Sequence, residues 1–178
     1  MARIPYANVR EPSVRGLAEQ ITAQRGSVLH LYRMLLHSPP VAAGWLRYLT
    51  AIRKECTLPG ALRELIIMRV ALLNGASYEA EQHAPIALAE GLSQKQLDAL
   101  ADWMASDLFD VRQRALLALT DSMTREIHVP DDVFSAARAE FDSRALVEAA
   151  ATIAAYNMVS RFLEAFQIRS DDAVSEER

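Results

Sequence analysis

The segment from Ala61 to Leu73 constrains the fold more than any other part of the sequence. A Pro-Gly pair precedes it and an Asn-Gly pair follows it, which is the common arrangement of proline at a helix start and glycine just past a helix end. Its only charged residues are Arg63, Glu64 and Arg69. A helix that is apolar around most of its circumference is stable only when other elements cover it. This segment is therefore predicted to lie at the centre of the fold.

The composition predicts an all-α protein. Of 178 residues, 51% are hydrophobic and 24% charged, which excludes disorder over most of the length. The low count of turn formers, 6 Gly and 7 Pro, favours helices over sheets. Hydrophobic periodicity predicts about eight helices. The formal net charge of −4 provides no basic surface, so nucleic acid is excluded as a partner.

The sequence also predicts a cytoplasmic protein without a membrane span. No apolar run reaches the roughly 18 residues that a spanning helix needs. The first residues lack the apolar core of a secretory signal, and the single Cys56 cannot form an internal disulfide.

Three segments are predicted along the chain. Residues 1–12 contain two prolines and form an extended N-terminal arm, whereas residues 169–178 are polar throughout and form a disordered tail. A single helical domain occupies residues 13–168, with a central helical hairpin at about 61–90.

Glycine and capping residues mark several of the predicted helix ends. Gly26, Gly75 and Gly91 each end a helix, the last as a left-handed cap. Ser93 and Gln96 have the spacing of a capping box, which predicts that another helix begins there.

Glu64 is an unusual residue for so apolar a helix, and two interpretations remain open. At about 100° per residue it shares a stripe with Ile67, Met68 and Ala71, so its carboxyl group faces apolar surroundings. Desolvation would then raise its pKa and make it a proton carrier near neutral pH. Alternatively, Glu64 lies in the first helical turn, where it stabilises the helix dipole and pairs with a nearby arginine.

Glu79 and His83 are four residues apart on the next predicted helix, which begins near Tyr78. This spacing places both side chains on one face, where a carboxylate can orient an imidazole for general acid or base catalysis. The alternative is an ordinary exposed pair. Tyr78 lies at the same turn and either donates a hydrogen bond to a substrate carboxylate or enolate, or simply packs.

The two predicted helices are consecutive and joined by a tight turn, so they should pack antiparallel and bring Glu64 and His83 into one pocket. The other histidines are scattered and no metal-ligand motif is present, so no metal is predicted. Arg69 lies about 140° around its helix from Glu64 and is interpreted as a structural or interface ion pair.

The hairpin resembles the signature of a known family. Residues Arg63 to His83 read R-E-L-I-I-M-R-V-A-L-L-N-G-A-S-Y-E-A-E-Q-H. This run resembles the signature hairpin of the carboxymuconolactone decarboxylase and alkylhydroperoxidase D-like family, and the later A-Y-N-M-V-S-R-F-L-E-A-F resembles the closing helix of its longer members. The resemblance implies an all-helical bundle around a central hairpin. It also implies a homo-oligomer, commonly a trimer or hexamer, with a pocket near the subunit interface.

In the peroxidase members of this family, a glutamate and a histidine serve two cysteines as a proton relay. Carried over by the resemblance, these roles fall on Glu64 and His83, whereas the cysteine positions fall on Ala76 and Glu79. Both thiols are therefore absent, which disfavours a peroxidase because a thiolate must attack the peroxide. The lone Cys56 is interpreted as a buried spectator.

The leading hypothesis is a cofactor-free acid-base enzyme that decarboxylates or isomerises a small organic acid or lactone. Glu64 and His83 are its catalytic residues, and Tyr78 and Glu79 support them or bind substrate. Glu79 is expected to orient His83, while Glu64, with a raised pKa, exchanges a proton at carbon. The alternatives are an alkylhydroperoxidase-like activity and a non-catalytic oligomeric binding protein.

Overall fold

Nine α-helices cover most of residues 1–173, the part of the chain that the computed structural model describes, and no strand occurs within that range. The helices are α1 (Pro12–Arg25), α2 (His30–Leu35), α3 (Pro39–Thr50), α4 (Gly60–Asn74), α5 (Ser77–Ala89), α6 (Gln94–Ala99), α7 (Val111–Arg125), α8 (Asp131–Glu140) and α9 (Ser143–Phe166). A π-helical turn (Ala51–Glu55) extends α3, and a 3-10 helix (Leu100–Ala105) follows α6. The predicted all-α fold is confirmed. None of these helices combines the length and the apolar character that crossing a membrane requires.

The predicted helix ends agree with the backbone geometry. Gly26, Gly75 and Gly91 have φ values of 85°, 65° and 106°, a region that favours glycine because it has no Cβ. The side chain of Ser93 accepts from the backbone of Gln96, whose own side chain accepts from the Ser93 backbone. The predicted caps and the predicted capping box are therefore confirmed.

The helices form two compact units. The first contains Met1–Glu55 together with the chain from Leu163 onward, and the second contains Cys56–Phe162. These units do not follow the predicted boundaries at residues 12 and 168, because the N-terminal arm and the chain after Leu163 belong to the same unit. The division into arm, domain and tail stays a prediction.

Contacts inside the first unit hold both ends of the described chain. The backbone N–H of Arg3 donates to the carbonyl of Phe166 at 2.9 Å, and the hydroxyl of Tyr6 donates to a carboxylate oxygen of Asp172 at 2.6 Å. Residues 169–173 of the predicted tail thus include residues with backbone and side-chain hydrogen bonds, and the disordered tail stays a prediction. Residues 174–178 of the predicted tail lie outside the described residues.

Helix α4 is the central helix of the second unit, as predicted. Its residues Glu64–Ala71 are all buried, so this middle part of the helix is covered on every side. An apolar cluster joins α4 to the helices around it and consists of Leu65, Met68, Ala87, Leu92, Leu100, Trp103, Phe109 and Leu117. Burial of side chains of this size contributes about 1.5–3 kcal/mol each.

Arg69 is the one basic side chain of α4 that is fully enclosed. Its guanidinium group donates two hydrogen bonds of 2.6 Å to the carboxylate of Asp121, and a third to the carbonyl of Leu100. The indole of Trp103 donates to the same carboxylate at 3.2 Å. The prediction of a structural ion pair is confirmed, and this pair fixes α4 against α7.

Glu148 on α9 fixes the chain just before α4. One carboxylate oxygen accepts the backbone N–H groups of Thr57 and Leu58, each at 2.8 Å, while Arg144 donates to the other oxygen. These bonds satisfy backbone donors that precede a helix and have no other partner in the ladder. They therefore help to set where α4 begins and how the hairpin is placed against α9.

Substitution Asp121→Asn should lower the free energy of unfolding by about 3 kcal/mol, because it leaves the buried guanidinium of Arg69 without a countercharge. Urea unfolding followed by circular dichroism measures the change. Glu55→Gln is the control, because it removes a similar charge from an exposed pair with Arg47 and should cost less than about 1 kcal/mol. Equal losses in the two variants would contradict this account of the Arg69 pair.

Candidate active site

A hydrogen bond across the α4–α5 hairpin joins Glu64 to His83. Oε2 of Glu64 lies 2.7 Å from Nδ1 of His83, and Nε of Arg63 donates to Oε1 of the same carboxylate at 3.1 Å. Glu64 has no exposed surface, whereas the side chain of His83 keeps 11% of its surface exposed. The structure thus brings together the two residues that the sequence analysis named as catalytic, and of the two only His83 has exposed side-chain surface.

The electrostatics of Glu64 differ from the prediction. Burial, the largest single influence, acts to raise its pKa, but the hydrogen bond and charge of His83, together with Arg63, outweigh burial. The pKa of Glu64 therefore lies below its ordinary value, and the carboxyl group is ionised at neutral pH. The predicted raised pKa of Glu64 is wrong, because the carboxylate contacts two basic side chains, His83 of α5 and Arg63 of its own helix, in addition to the apolar residues around it.

An ionised Glu64 fixes the proton arrangement of His83. A carboxylate only accepts hydrogen bonds, so Nδ1 of the imidazole carries a proton. The neutral ring is then the tautomer whose Nε2 has a lone pair, and Nε2 is the atom at which His83 gains or loses a proton. The pair has the form of a general base oriented by a buried carboxylate.

Glu79 does not orient His83, and that prediction is wrong. The hydroxyl of Ser160 on α9 donates to Oε2 of Glu79 in a short hydrogen bond, whereas Glu64 occupies Nδ1 of His83. Oε1 of Glu79 makes no hydrogen bond among residues 1–173. The i,i+4 spacing correctly places Glu79 and His83 on one face of α5, but the packing of α9 supplies the partner of Glu79.

The surroundings of Glu79 favour its neutral form. Burial raises the pKa of Glu79 from 4.5 to about 8, and the hydrogen bond from Ser160 offsets only part of this effect. Glu79 is therefore mostly protonated at pH 7, whereas Glu64 is ionised. Two carboxyl groups near one imidazole thus hold opposite protonation states.

Helix α9 contributes two residues to the site that the sequence analysis missed. The ring of Tyr156 meets the ring of His83 edge to face, with centroids 5.1 Å apart and an interplanar angle of 88°. Tyr156 and Ser160 are four residues apart, the same spacing as Glu79 and His83, and the two pairs meet in antiparallel order. This matching i,i+4 spacing on the two helices was the signal available in the sequence.

The remaining positions that the sequence analysis named differ in their burial. Tyr78 is buried in the first turn of α5, and its predicted contact with a substrate stays a prediction. Ala76 is buried just before α5 and provides no functional group. Cys56, the first residue of the second unit, is partly exposed, whereas the sequence analysis expected it to be buried.

Among the described residues, no three His, Cys, Asp or Glu side chains are grouped to hold a metal ion.

Comparison with known proteins bears on the hairpin and its surroundings. The model of the carboxymuconolactone decarboxylase family matches residues 39–122, a range that includes Glu64, Glu79 and His83. The resemblance seen in the sequence is confirmed over this segment. With one cysteine in the whole chain, this family segment has no cysteine pair.

Individual relatives extend the comparison. Over 97 residues the chain is 26% identical to the uncharacterized protein YdfG of Bacillus subtilis (strain 168), a match that covers 53% of this chain and 66% of YdfG, slightly under two thirds. An uncharacterized peroxidase-related protein with an alkylhydroperoxidase AhpD core, from Ralstonia eutropha JMP134, has a TM-score of 0.82 and 21% identity over 96% of this chain and 93% of its own. The apo debrominase Bmp8 has a TM-score of 0.78 and 19% identity over 93% and 89%. At such identities the two structures show a shared fold.

Glu79→Gln should make the free energy of unfolding decrease less steeply as the pH rises. Because the pKa of Glu79 is raised to about 8 in the folded protein, its contribution to stability is complete below its ordinary value of 4.5 and is lost as the pH rises through 8. Glutamine stays neutral, so the variant should lose on the order of 3 kcal/mol less than wild type between about pH 5 and pH 8. Urea unfolding at a series of pH values measures the slope.

Glu81→Gln is the matched control, because Glu81 is an exposed carboxylate on the same helix. This control should keep the wild-type dependence of unfolding free energy on pH. If Glu79→Gln also kept it, Glu79 would be an ordinary ionised carboxylate in the folded protein.

Proposed function

We propose that this protein is a carboxymuconolactone-decarboxylase-like lyase or isomerase that moves protons on a small organic acid or lactone without a cofactor. The observation that carries the proposal is the buried 2.7 Å hydrogen bond between Glu64 and His83. It holds an imidazole in the tautomer that accepts a proton at Nε2, which is the requirement for a general base. The family match over residues 39–122 supports the same class of chemistry.

His83 is the catalytic residue in this proposal, and Glu64 positions it. Of these two residues, only His83 has exposed side-chain surface, so His83 rather than Glu64 is assigned the contact with substrate. Nε2 takes a proton from a carbon next to a carbonyl group, or gives one to the carbon from which CO₂ departs. Glu64 remains ionised throughout and stabilises the imidazolium ion, because their hydrogen bond strengthens when both groups are charged.

The residues at the thiol positions argue against hydroperoxide reduction. That reaction needs a thiolate that is oxidised and a second thiol that resolves it. Ala76 has no reactive atom and Glu79 is a carboxylic acid, so neither can supply the two electrons. Proton transfer needs no such donor, and the Glu64–His83 pair suffices for it.

The proposal includes a homo-oligomer, a trimer or hexamer, as the resemblance implies. Leu72 on α4 and Leu88 on α5 expose 46% and 42% of their surfaces, which supplies apolar surface on the hairpin for contact with another copy. Light scattering of the purified protein tests this part, since a monomeric mass would contradict it.

Variants of the pair should separate this function from a non-catalytic role. We expect wild type to release CO₂ from carboxymuconolactone, or to exchange deuterium from D₂O into an unsaturated γ-lactone carrying a carboxylate. His83→Gln should lower the rate by about 10²- to 10⁴-fold, because it removes the base. Glu64→Gln should lower it by about 10²-fold, because an amide can donate to Nδ1 and so favour the tautomer with the proton on Nε2.

Two further variants serve as controls for this experiment. Glu81→Gln removes an exposed charge from α5, and Asp121→Asn lowers stability without changing the Glu64–His83 pair. Both should keep the wild-type rate below the temperature at which they unfold. A wild type that binds lactones without any exchange or CO₂ release would instead indicate a binding protein.

A further inference from the structure

The carboxyl group of Glu79 is the buried polar group that the Glu64–His83 pair leaves unused. Only 2% of the residue is exposed, and one of its two oxygens has no hydrogen-bond partner among residues 1–173. Leaving a polar atom buried without a partner costs on the order of 1–3 kcal/mol. A cost of this size beside a candidate site suggests that Oε1 has a partner during function, and a bound substrate is the obvious one.

Helices α5 and α9 place the carboxyl group of Glu79 one helical turn from the imidazole of His83. Glu79 lies one turn before His83 on α5, and their contacts on α9, Ser160 and Tyr156, are also one turn apart. Both side chains of α5 thus project from one face toward one face of α9. Residues at this spacing have Cβ atoms about 5–6 Å apart, so a substrate that contacts Nε2 of His83 is within reach of the Glu79 carboxyl group.

The charges around Glu79 favour a group that keeps its proton. On α5 the neighbouring titratable group is His83, whose countercharge is Glu64 of α4, itself paired with Arg63. From α9 the neighbours are the neutral hydroxyl of Ser160 and the ring of Tyr156. Within residues 1–173 no ion pair includes Glu79, so nothing compensates the charge that ionisation would create there.

We propose that Glu79 is a second catalytic residue, whose neutral carboxyl group donates a proton from Oε1 to an oxygen of the substrate while His83 acts at carbon. This inference rests on the proposed function. It defines the substrate as a compound with an enolisable carbon next to a carbonyl oxygen, such as an unsaturated lactone. Ser160 is a positioning residue, because its hydroxyl holds Oε2 and leaves Oε1 available for the substrate.

His83 and Glu79 together account for every proton transferred in the isomerisation. A C–H bond breaks as its proton moves to Nε2 of His83, and its electron pair forms the carbon–carbon double bond of an enol. The carbonyl oxygen takes the proton of Glu79, which becomes a carboxylate that the Ser160 hydroxyl stabilises. Return of the imidazolium proton to a different carbon, and of the enol proton to Glu79, moves the double bond and restores both residues.

Decarboxylation uses the same groups with a different bond. The bond between the carbon and the carboxylate breaks, CO₂ leaves, and the electron pair forms the enol whose oxygen has taken the proton of Glu79. The carbon is then protonated by imidazolium, and the enol proton returns to Glu79. The one proton consumed in each turnover comes from water through His83, so no oxidant or reductant is needed.

The first test needs no ligand. Infrared spectroscopy of the whole protein should show the carbonyl stretch of a protonated, buried carboxyl group at pH 7. This band should disappear in Glu79→Gln and persist in Glu64→Gln and in the control Glu81→Gln. Absence of the band from wild type would overturn the proposal.

The second test uses the pH dependence of kcat/KM for deuterium exchange into an unsaturated γ-lactone. Wild type should lose activity above about pH 8, where burial places the pKa of Glu79. Glu79→Gln should lower the rate by about 10²-fold and remove this alkaline decline. Ser160→Ala should move the decline to higher pH, because the hydrogen bond from Ser160 lowers the pKa of Glu79. A residue that only packs would change neither feature.

The outcomes distinguish this inference from the proposed function. Loss of exchange in His83→Gln together with an unchanged rate and alkaline decline in Glu79→Gln would overturn the role of Glu79 and leave the base assignment intact. Absence of exchange by wild type on every lactone would contradict the proposed function itself. The band together with a displaced decline in Ser160→Ala supports both.

Discussion

The burial of residues Glu64–Ala71 of α4 on every side is the constraint on which the rest of the second unit depends. In such a stretch each charged side chain needs a partner inside the protein. Arg69 finds Asp121 on α7, and this pair fixes the helix in place. Glu64 finds His83 on α5, and this pair creates the candidate site. One physical requirement thus produces both a structural ion pair and an oriented base.

The two carboxyl groups of the site show how their partners determine their state. Glu64 and Glu79 are both buried, so desolvation alone would raise the pKa of each. Glu64 has two basic neighbours and is ionised, whereas Glu79 has a serine hydroxyl and keeps its proton. Pairs of titratable groups whose environments separate their pKa values are the usual arrangement of an acid and a base in enzymes.

Much of the fold was predictable because it depends on local patterns, whereas the pairing in the site was not. Periodicity and glycine caps identified the helices, and the short turn at Gly75 brought Glu64 and His83 together. The spacing on α5 predicted that Glu79 orients His83. The geometry of one helix cannot show which residues of α9 pack against it. Ser160 lies 81 residues away along the chain and is the partner of Glu79, whereas Glu64 binds Nδ1 of His83, so the expected roles of the two glutamates are reversed.

Glu79 stands at the position where the resemblance places a cysteine thiol, and in the function proposed here it carries a different chemistry. By the resemblance, Glu79 lies where peroxidase members of the family carry a cysteine, one helical turn from the histidine. A thiol at that place exchanges electrons and protons, whereas a carboxyl group exchanges protons alone. Because it is neutral when buried without a cation, Glu79 keeps a transferable proton at the same point of the hairpin. In the function proposed here, the carboxyl group at this position therefore supplies acid-base chemistry where the resemblance places the redox chemistry of a thiol.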